Sequence, residues 1–201
     1  MNIHAIVFDV DGVLVNPPYR FAKYLEQTHG LTMQHTREFF GGRFLDCIVG
    51  RADPKQEIAP FLSAWGINEP VEAHLTRWFE VEREVDQRLL AAVKTLRQRG
   101  IRCYVGTNQE RYRAAYLRNE MAFAHLFDGV FASAELGVAK PEALFFAKAT
   151  EAIGVPPNEI LFWDDYSKNV EAAREYGWHA ELYTTFDAFA ITIQPLLPKT
   201  D

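Results

Sequence analysis

Asp9 and Asp11 close an apolar run, "IHAIVFDVDG", with one valine between them and Gly12 directly after. Alternate residues of an extended segment point to the same side, so the two carboxylates share a face and repel unless a positive charge lies between them. Three other stretches carry groups that could join them: Thr107-Asn108 after "CYVG", Lys140 in "GVAKPEALFF", and Asp164-Asp165 after "ILFW". A hard divalent cation, magnesium above all, takes carboxylate and carbonyl oxygens and would let the acids stand close. One carboxylate could then face an electrophilic atom while the other reaches its leaving group. Gly12 would keep the following turn open and let backbone N–H groups approach an anion. Lys140 would neutralise an anionic oxygen or steady an aspartate, helped by the N-terminus of the helix after it. Each piece has a plainer explanation, an Asx turn for Asp-x-Asp-Gly and a surface lysine for Lys140. The second acid pair at another strand end is what favours chemistry.

These groups meet only if the segments carrying them end at one edge, which a parallel sheet guarantees. Short apolar strands are expected at 3–8, 101–105, 129–132, 160–163 and about 178–182. Helical patterns lie between the later ones. One puts Leu89, Leu90, Val93 and Leu96 on a stripe and stops at Gly100. The next starts with Pro141 in its first turn, carries Leu144, Phe145, Ala149 and Ile153, and stops at Gly154; a third stops at Gly177. Strands without polar alternation, separated by helices, predict an α/β fold: a Rossmann-like parallel sheet covered by helices.

Residues 15–85 break this rhythm. They hold helical patterns at 19–29, near 39–49, at 54–65 and at 71–84, punctuated by Pro17-Pro18 and Gly41-Gly42. The expected organisation is a core of 1–14 plus 86–201 and an inserted all-helical cap domain over 15–85. Placed straight after the first strand, such an insert is a natural lid, because ligands of these sheets bind beyond the carboxyl ends of the strands.

Composition limits the class. The 201 residues are 48% hydrophobic and 24% charged, as in soluble globular chains. A net charge of −6 argues against a nucleic-acid surface, and no apolar run is long enough to cross a membrane. Without a visible signal peptide, and with only Cys47 and Cys103, read as buried thiols, a cytoplasmic protein is expected. A monomer or weak homodimer is expected.

Asp9-Val10-Asp11-Gly12, Thr107-Asn108, Lys140-Pro141 and Trp163-Asp164-Asp165 together, in this order and strand context, resemble the four signature motifs of the haloacid dehalogenase-like hydrolase superfamily. The insert resembles that superfamily's first type of cap. The resemblance implies that Asp9 is a nucleophile forming an aspartyl-phosphate and Asp11 the general acid and base. It implies that Thr107, assisted by Asn108, holds a phosphoryl oxygen and that Lys140 steadies nucleophile and phosphoryl group. It further implies a Mg2+ held by Asp165, by Asp164 directly or through water, by Asp9 and by the backbone carbonyl of Asp11. An aspartate at position 11 points to a phosphatase, since the superfamily's dehalogenases generally lack that acid. The implied substrate is a small phosphorylated metabolite, a sugar phosphate or similar monoester. A phosphoglucomutase-like phosphoryl transferase and a catalytically silent binding module of the same fold are the alternatives; haloacid dehalogenation stands further off. Trp163 and Tyr166 depart from the usual pattern and could narrow the crevice, and Asn169 stands where some members carry a further carboxylate.

Specificity would come from the insert. "FFGGRFLD" reads as a loop in which Gly41 and Gly42 allow a tight bend and Arg43 could hydrogen-bond hydroxyls or a second anion, with Arg51 a weaker candidate. Leu75, Trp78 and Phe79 fit the insert's own core. The six histidines show no ligand-like pairing. Arg111 and Arg113 fit either a crevice rim or a solvated helix start. The tail places Phe186, Phe189, Ile191, Leu196 and Leu197 on the core until Pro198 releases it.

Overall fold

The computed structural model describes residues 2–196. β1 (Ala5–Phe8) is apolar at every position and wholly buried. Its side chains alternate: Ile6 and Phe8 enter one hydrophobic cluster, Ala5 and Val7 another on the opposite face. A strand buried on both faces needs neighbours on both edges.

The chain first leaves the sheet for the insert. This is built from α1 (Phe21–His29), α2 (Met33–Glu38), a π turn over Phe39–Arg43, α3 (Phe44–Ile48), α4 (Pro54–Ala64) and α5 (Val71–Val81). Phe21, Leu25, Phe39, Ile58 and Leu62 form a separate apolar cluster here. Trp78 packs on it, stacked on Phe21 at 5.4 Å between ring centroids, as expected of a core residue. The two connections to the sheet lie side by side: Val15 pairs antiparallel with Val85, Asn16 N–H donates to the Glu84 carbonyl, and Asp86 N–H to that of Leu14.

After α6 (Gln87–Gln98), capped by the Asp86 carboxylate, come β2 (Arg102–Thr107), α7 (Arg111–Asn119), α8 (Phe123–Leu126), β3 (Gly129–Ala132) and α9 (Ser133–Leu136). The chain then crosses through α10 (Ala143–Ile153) to β4 (Ile160–Asp164), and ends with α11 (Ser167–Tyr176), β5 (His179–Leu182) and α12 (Phe186–Ile193). The five strands pair in parallel in the order β3-β2-β1-β4-β5. β1 is central, and the strand order reverses between it and β4. Leu89, Val93, Leu96 and Phe189 cover one face, and Phe145, Phe146, Ala149 and Val170 the other. No helix of the described residues is long and apolar enough to cross a membrane.

Several expectations change. "FFGGRFLD" is no loop: the π turn runs α2 into α3 without a break, and Gly41, Gly42 and Arg43 lie on its exposed side. The helix expected from Pro141 starts at Ala143, because both backbone groups of Lys140 are bonded to the Asn108 side chain and Pro141 stands in the turn that follows. Leu144 is exposed rather than on the core stripe, and so is Ile191 in α12; Leu197 and Pro198 lie outside the described residues. Cys47 and Cys103 are free and buried, and burial pushes both thiols up to about 12.

Candidate active site

The register of β1 with β2 and β4 sets Phe8 opposite Val105 and Trp163, so Asp9 emerges between the carboxyl ends of its two neighbours. Its N–H continues the ladder to the Trp163 carbonyl at 2.8 Å. Thr107 ends β2 and is buried; Asp164 ends β4 and is fully buried. Lys140, also buried, reaches this edge from the turn before α10. Its Nζ lies 2.9 Å from Oδ1 of Asp9 and 2.6 Å from Oδ2 of Asp164. Asn108 fixes it there, accepting the Lys140 N–H on Oδ1 and donating Nδ2 to its carbonyl, each at 2.9 Å. The Asn108 side-chain amide is thus committed to positioning Lys140, and of the two groups of Asn108 expected near a phosphoryl oxygen, backbone or amide, only the backbone is left for it.

The two acids of the β4 end are in different states. Both oxygens of Asp164 accept from Asn169 Nδ2, one more bond comes from Lys140, and the Tyr166 N–H donates at 2.8 Å. Asn169 is therefore a partner of Asp164, in place of a further carboxylate. Asp165 reaches solvent. A Cβ on Gly12, whose φ is +92°, would lie 1.9 Å from Asp165 Oδ2, so the residue after Asp11 has to be glycine for Asp165 to take its place. The Gly12 N–H is used within the turn, donating to the Val15 carbonyl at 2.9 Å. Trp163 points into the core against Phe189, with centroids 5.0 Å apart, and does not narrow the crevice; the Tyr166 ring stands in solvent.

Charge follows from this crowding. Burial raises Asp9 to about 7 against the pull of Lys140, with Asp164 adding to the rise. Burial alone would lower Lys140, but Asp9 and Asp164 outweigh it and hold it above the ordinary lysine value. The protein around Asp165 and the neighbouring Asp164 raise that acid too. Oxygens of Asp9, Asp164 and Asp165 all lie within 4.8 Å of one another. Oδ1 of Asp9 is engaged by Lys140 and by the Val10 N–H, and Asp164 is saturated. Oδ2 of Asp9 and the Asp165 carboxylate remain available, a hard oxygen set that fits a divalent cation.

Asp11 stands apart from that carboxylate cluster. Its Oδ1 accepts from Arg20 at 3.2 Å and its Oδ2 from Gln109 Nε2. None of the turn's backbone hydrogen bonds among the described residues uses its carbonyl. Arg20, the residue before α1, and Gln109 were missed from the sequence; Gln109 directly follows Thr107-Asn108 and could have been included, whereas Arg20 has no pattern around it. Arg113 lies neither at an open rim nor at a solvated helix start. It is buried, and its guanidinium donates to the carbonyls of Phe79 and Glu82 at the end of α5, tying insert to core. Ser133 Oγ donates to the Ile48 carbonyl at 2.6 Å, and Gly50 packs against the Ala134 carbonyl. Arg43 forms no ion pair among the described residues, and Arg51 pairs with Asp46 within the insert.

A parallel sheet that gathers carboxylates and one buried lysine at the carboxyl edge of its switch point is the build of an α/β enzyme. The family model of the haloacid dehalogenase-like hydrolases matches residues 3–177, and the chain belongs to that family. It is 31% identical over 200 residues to phosphatase MT3486 of Mycobacterium tuberculosis, covering 90% of this chain and 88% of that one. A 92-residue stretch is 34% identical to the sesquiterpene phosphatase astK of Aspergillus oryzae, 46% of this chain and 47% of the relative. Among solved structures, the HAD family enzyme bt-2542 of Bacteroides thetaiotaomicron, in complex with magnesium and inorganic phosphate, superposes with a TM-score of 0.77 at 23% identity. That match covers 92% of this chain and 96% of the other.

Proposed function

We propose that the protein is a magnesium-dependent phosphatase that hydrolyses a small phosphate monoester through an aspartyl-phosphate on Asp9. The observation that carries this reading is the buried Lys140 ammonium, which holds Oδ1 of Asp9 and leaves its Oδ2 free at the crevice. Oδ2 attacks phosphorus while the ester P–O bond breaks, and a proton on Asp11 passes to the departing alkoxide. Asp11 then takes a proton from the water that attacks phosphorus, phosphate leaves, and Asp9 is restored. Splitting one difficult hydrolysis into two steps and protonating the leaving oxygen each lower the barrier, the latter by ~10²–10⁴-fold in rate.

Asp9, Asp165 and the Asp11 carbonyl would hold the magnesium ion, with Asp164 contributing through the lysine it anchors. When bound, the ion neutralises phosphoryl oxygens against the repulsion of the carboxylates. Thr107 holds a phosphoryl oxygen, and Asn108 acts through Lys140. The insert serves as the cap, with Gly42 and Arg43 on its leaving-group side. The likeness to a phosphatase over nine-tenths of the chain supports hydrolysis over transfer to a second hydroxyl. Two buried free thiols fit a cytoplasmic setting, and we take the working unit to be a monomer or weak homodimer.

Phosphate release from an aryl phosphate tests the reading. Turnover is expected with magnesium, is lost to a chelator, and vanishes in Asp9→Asn. Full activity in that variant would end the mechanism.

A further inference from the structure

A general acid must turn one carboxyl oxygen to the leaving alkoxide while the other is held still. The terminal torsion of an aspartate is broad and roughly twofold, so Asp11 does not choose between its oxygens by itself. Two side chains touch it, and they are unlike. Gln109 is buried and donates Nε2 to Oδ2. Arg20 is exposed and donates to Oδ1 at 3.2 Å.

The glutamine is anchored and the arginine is not. The Gln109 carbonyl accepts the Ala134 N–H at 3.2 Å and the Ser133 hydroxyl at 3.4 Å. Asn108, before it, is locked onto the Lys140 backbone. Glu110, after it, caps α7 by accepting the N–H groups of Tyr112 and Arg113, each at 2.6 Å. Three successive residues are thus pinned to the core. Arg20 comes from the connection into the insert, and Asp11 is the one partner of its guanidinium among the described residues. Exposed ion pairs of this kind hold a long side chain weakly.

An amide N–H can only donate, so the carboxyl oxygen it holds must stay an acceptor. A proton carried by Asp11 therefore sits on Oδ1, the oxygen that an exposed arginine can vacate.

We propose that Gln109 is a positioning residue for hydrolysis: it holds Oδ2 of Asp11 so that Oδ1 hands the proton to the departing alkoxide, while Arg20 gives way to the substrate. The inference rests on the phosphatase reading. As the ester P–O bond breaks, its electron pair stays on the alkoxide oxygen, the Oδ1 proton moves to that oxygen, and Asp11 is left as a carboxylate.

Two leaving groups test it, since a nitrophenolate departs without a proton and an ethoxide does not. kcat/KM reports the step that breaks the ester bond, and phosphate release with magnesium gives it for ethyl phosphate and 4-nitrophenyl phosphate. Gln109→Met keeps the length of the side chain and loses the donor. We expect it to lower kcat/KM about 10–100-fold for ethyl phosphate, a part of the ~10²–10⁴-fold that acid catalysis supplies, and less than about threefold for 4-nitrophenyl phosphate. Gln109→Asn, one methylene too short, should show the same split and carries the comparison if the methionine variant does not fold. An equal loss on both substrates, or none on either, would make Gln109 a structural residue and overturn this inference alone. A larger split in Arg20→Ala than in the Gln109 variants would give the orienting role to Arg20 and overturn it likewise. No release from either substrate by the unaltered protein would sink the phosphatase reading and this inference with it.

Discussion

The Asn108 side chain closes onto the backbone of Lys140 from both sides, donating to its carbonyl and accepting its N–H. The residue after β2 thereby places the ammonium that joins the ends of β1 and β4, so three strand ends are tied through one amide. Hydrogen bonds of this kind contribute roughly 0.5–1.5 kcal/mol each. Asn108→Ala should therefore cost about 1–3 kcal/mol in urea unfolding, by the same bond value counted twice. It should lower kcat more than it raises KM, since Lys140 loses its alignment and not its charge. An Asn108→Ala protein with normal kcat would show that Lys140 needs no such support.

Removing the ammonium itself is a harsher change. Lys140→Met leaves Asp9 and Asp164 buried beside one another with nothing between them. Breaking a buried pair by deleting one partner typically costs about 3–5 kcal/mol. That penalty should be larger near pH 8 than near pH 5, where Asp9 keeps its proton with or without the lysine. Denaturant midpoints of the two proteins at both pH values check this; a penalty independent of pH would mean the lysine acts only by packing.

Gly12 makes a prediction that separates geometry from charge. An alanine there would put its Cβ 1.9 Å from Asp165 Oδ2 and would hold an L residue at φ +92°. Asp165 must move away. Magnesium affinity measured by calorimetry should drop at least tenfold in Gly12→Ala. Gly66→Ala, at a similar φ of +70° but in open space, should keep it. Equal affinities would remove Asp165 from the metal site.

Why Asp9, Asp11, Asp164, Asp165 and Lys140 were legible in the sequence is a matter of strand geometry. Each ends or closely follows a strand or, like Lys140, stands in the turn before a helix, and a parallel sheet brings such positions to one edge whatever the details of packing. Contacts between distant segments carry no such periodic signal. Nothing in "PPYRF" says that Arg20 reaches Asp11, and nothing in "NQERYR" says that Arg113 is buried under the carbonyls ending α5. The two glycines of "FFGGRFLD" argue locally for a bend; packing of Phe39, Phe40 and Phe44 overrides them and keeps the segment helical.

Stability of the metal-free protein should depend on pH through Asp9. Burial lifts its pKa to about 7 in the folded chain, against ~3.9 when unfolded. Between those values the folded state holds a proton that the unfolded state has released. The contribution is thus complete below about pH 4, is lost as pH rises towards 7, and stays lost above it. The difference in unfolding free energy between wild type and Asp9→Asn isolates this residue, because other titrating groups cancel. Wild type should lose ground to the variant from pH 4 to pH 7. A constant difference across that window would place Asp9 at an ordinary carboxylate pKa.

The neighbouring acids of the β4 end should part company when each is neutralised. Asp164 is fully buried and both its oxygens accept hydrogen bonds, from Lys140, Asn169 and the Tyr166 backbone, so Asp164→Asn sets an amide N–H against one of these donors in either orientation. That clash predicts a loss of about 2–4 kcal/mol in stability, from breaking a buried charge-assisted network. Asp165 reaches solvent and supports no such network, so Asp165→Asn should leave the unfolding midpoint nearly unchanged while magnesium affinity collapses. Calorimetry of metal binding and urea unfolding on the two variants give four numbers with a definite pattern. If Asp165→Asn bound magnesium as tightly as wild type, the cation would have to sit on Asp164, and its bonds to Lys140 and Asn169 would have to break to admit it.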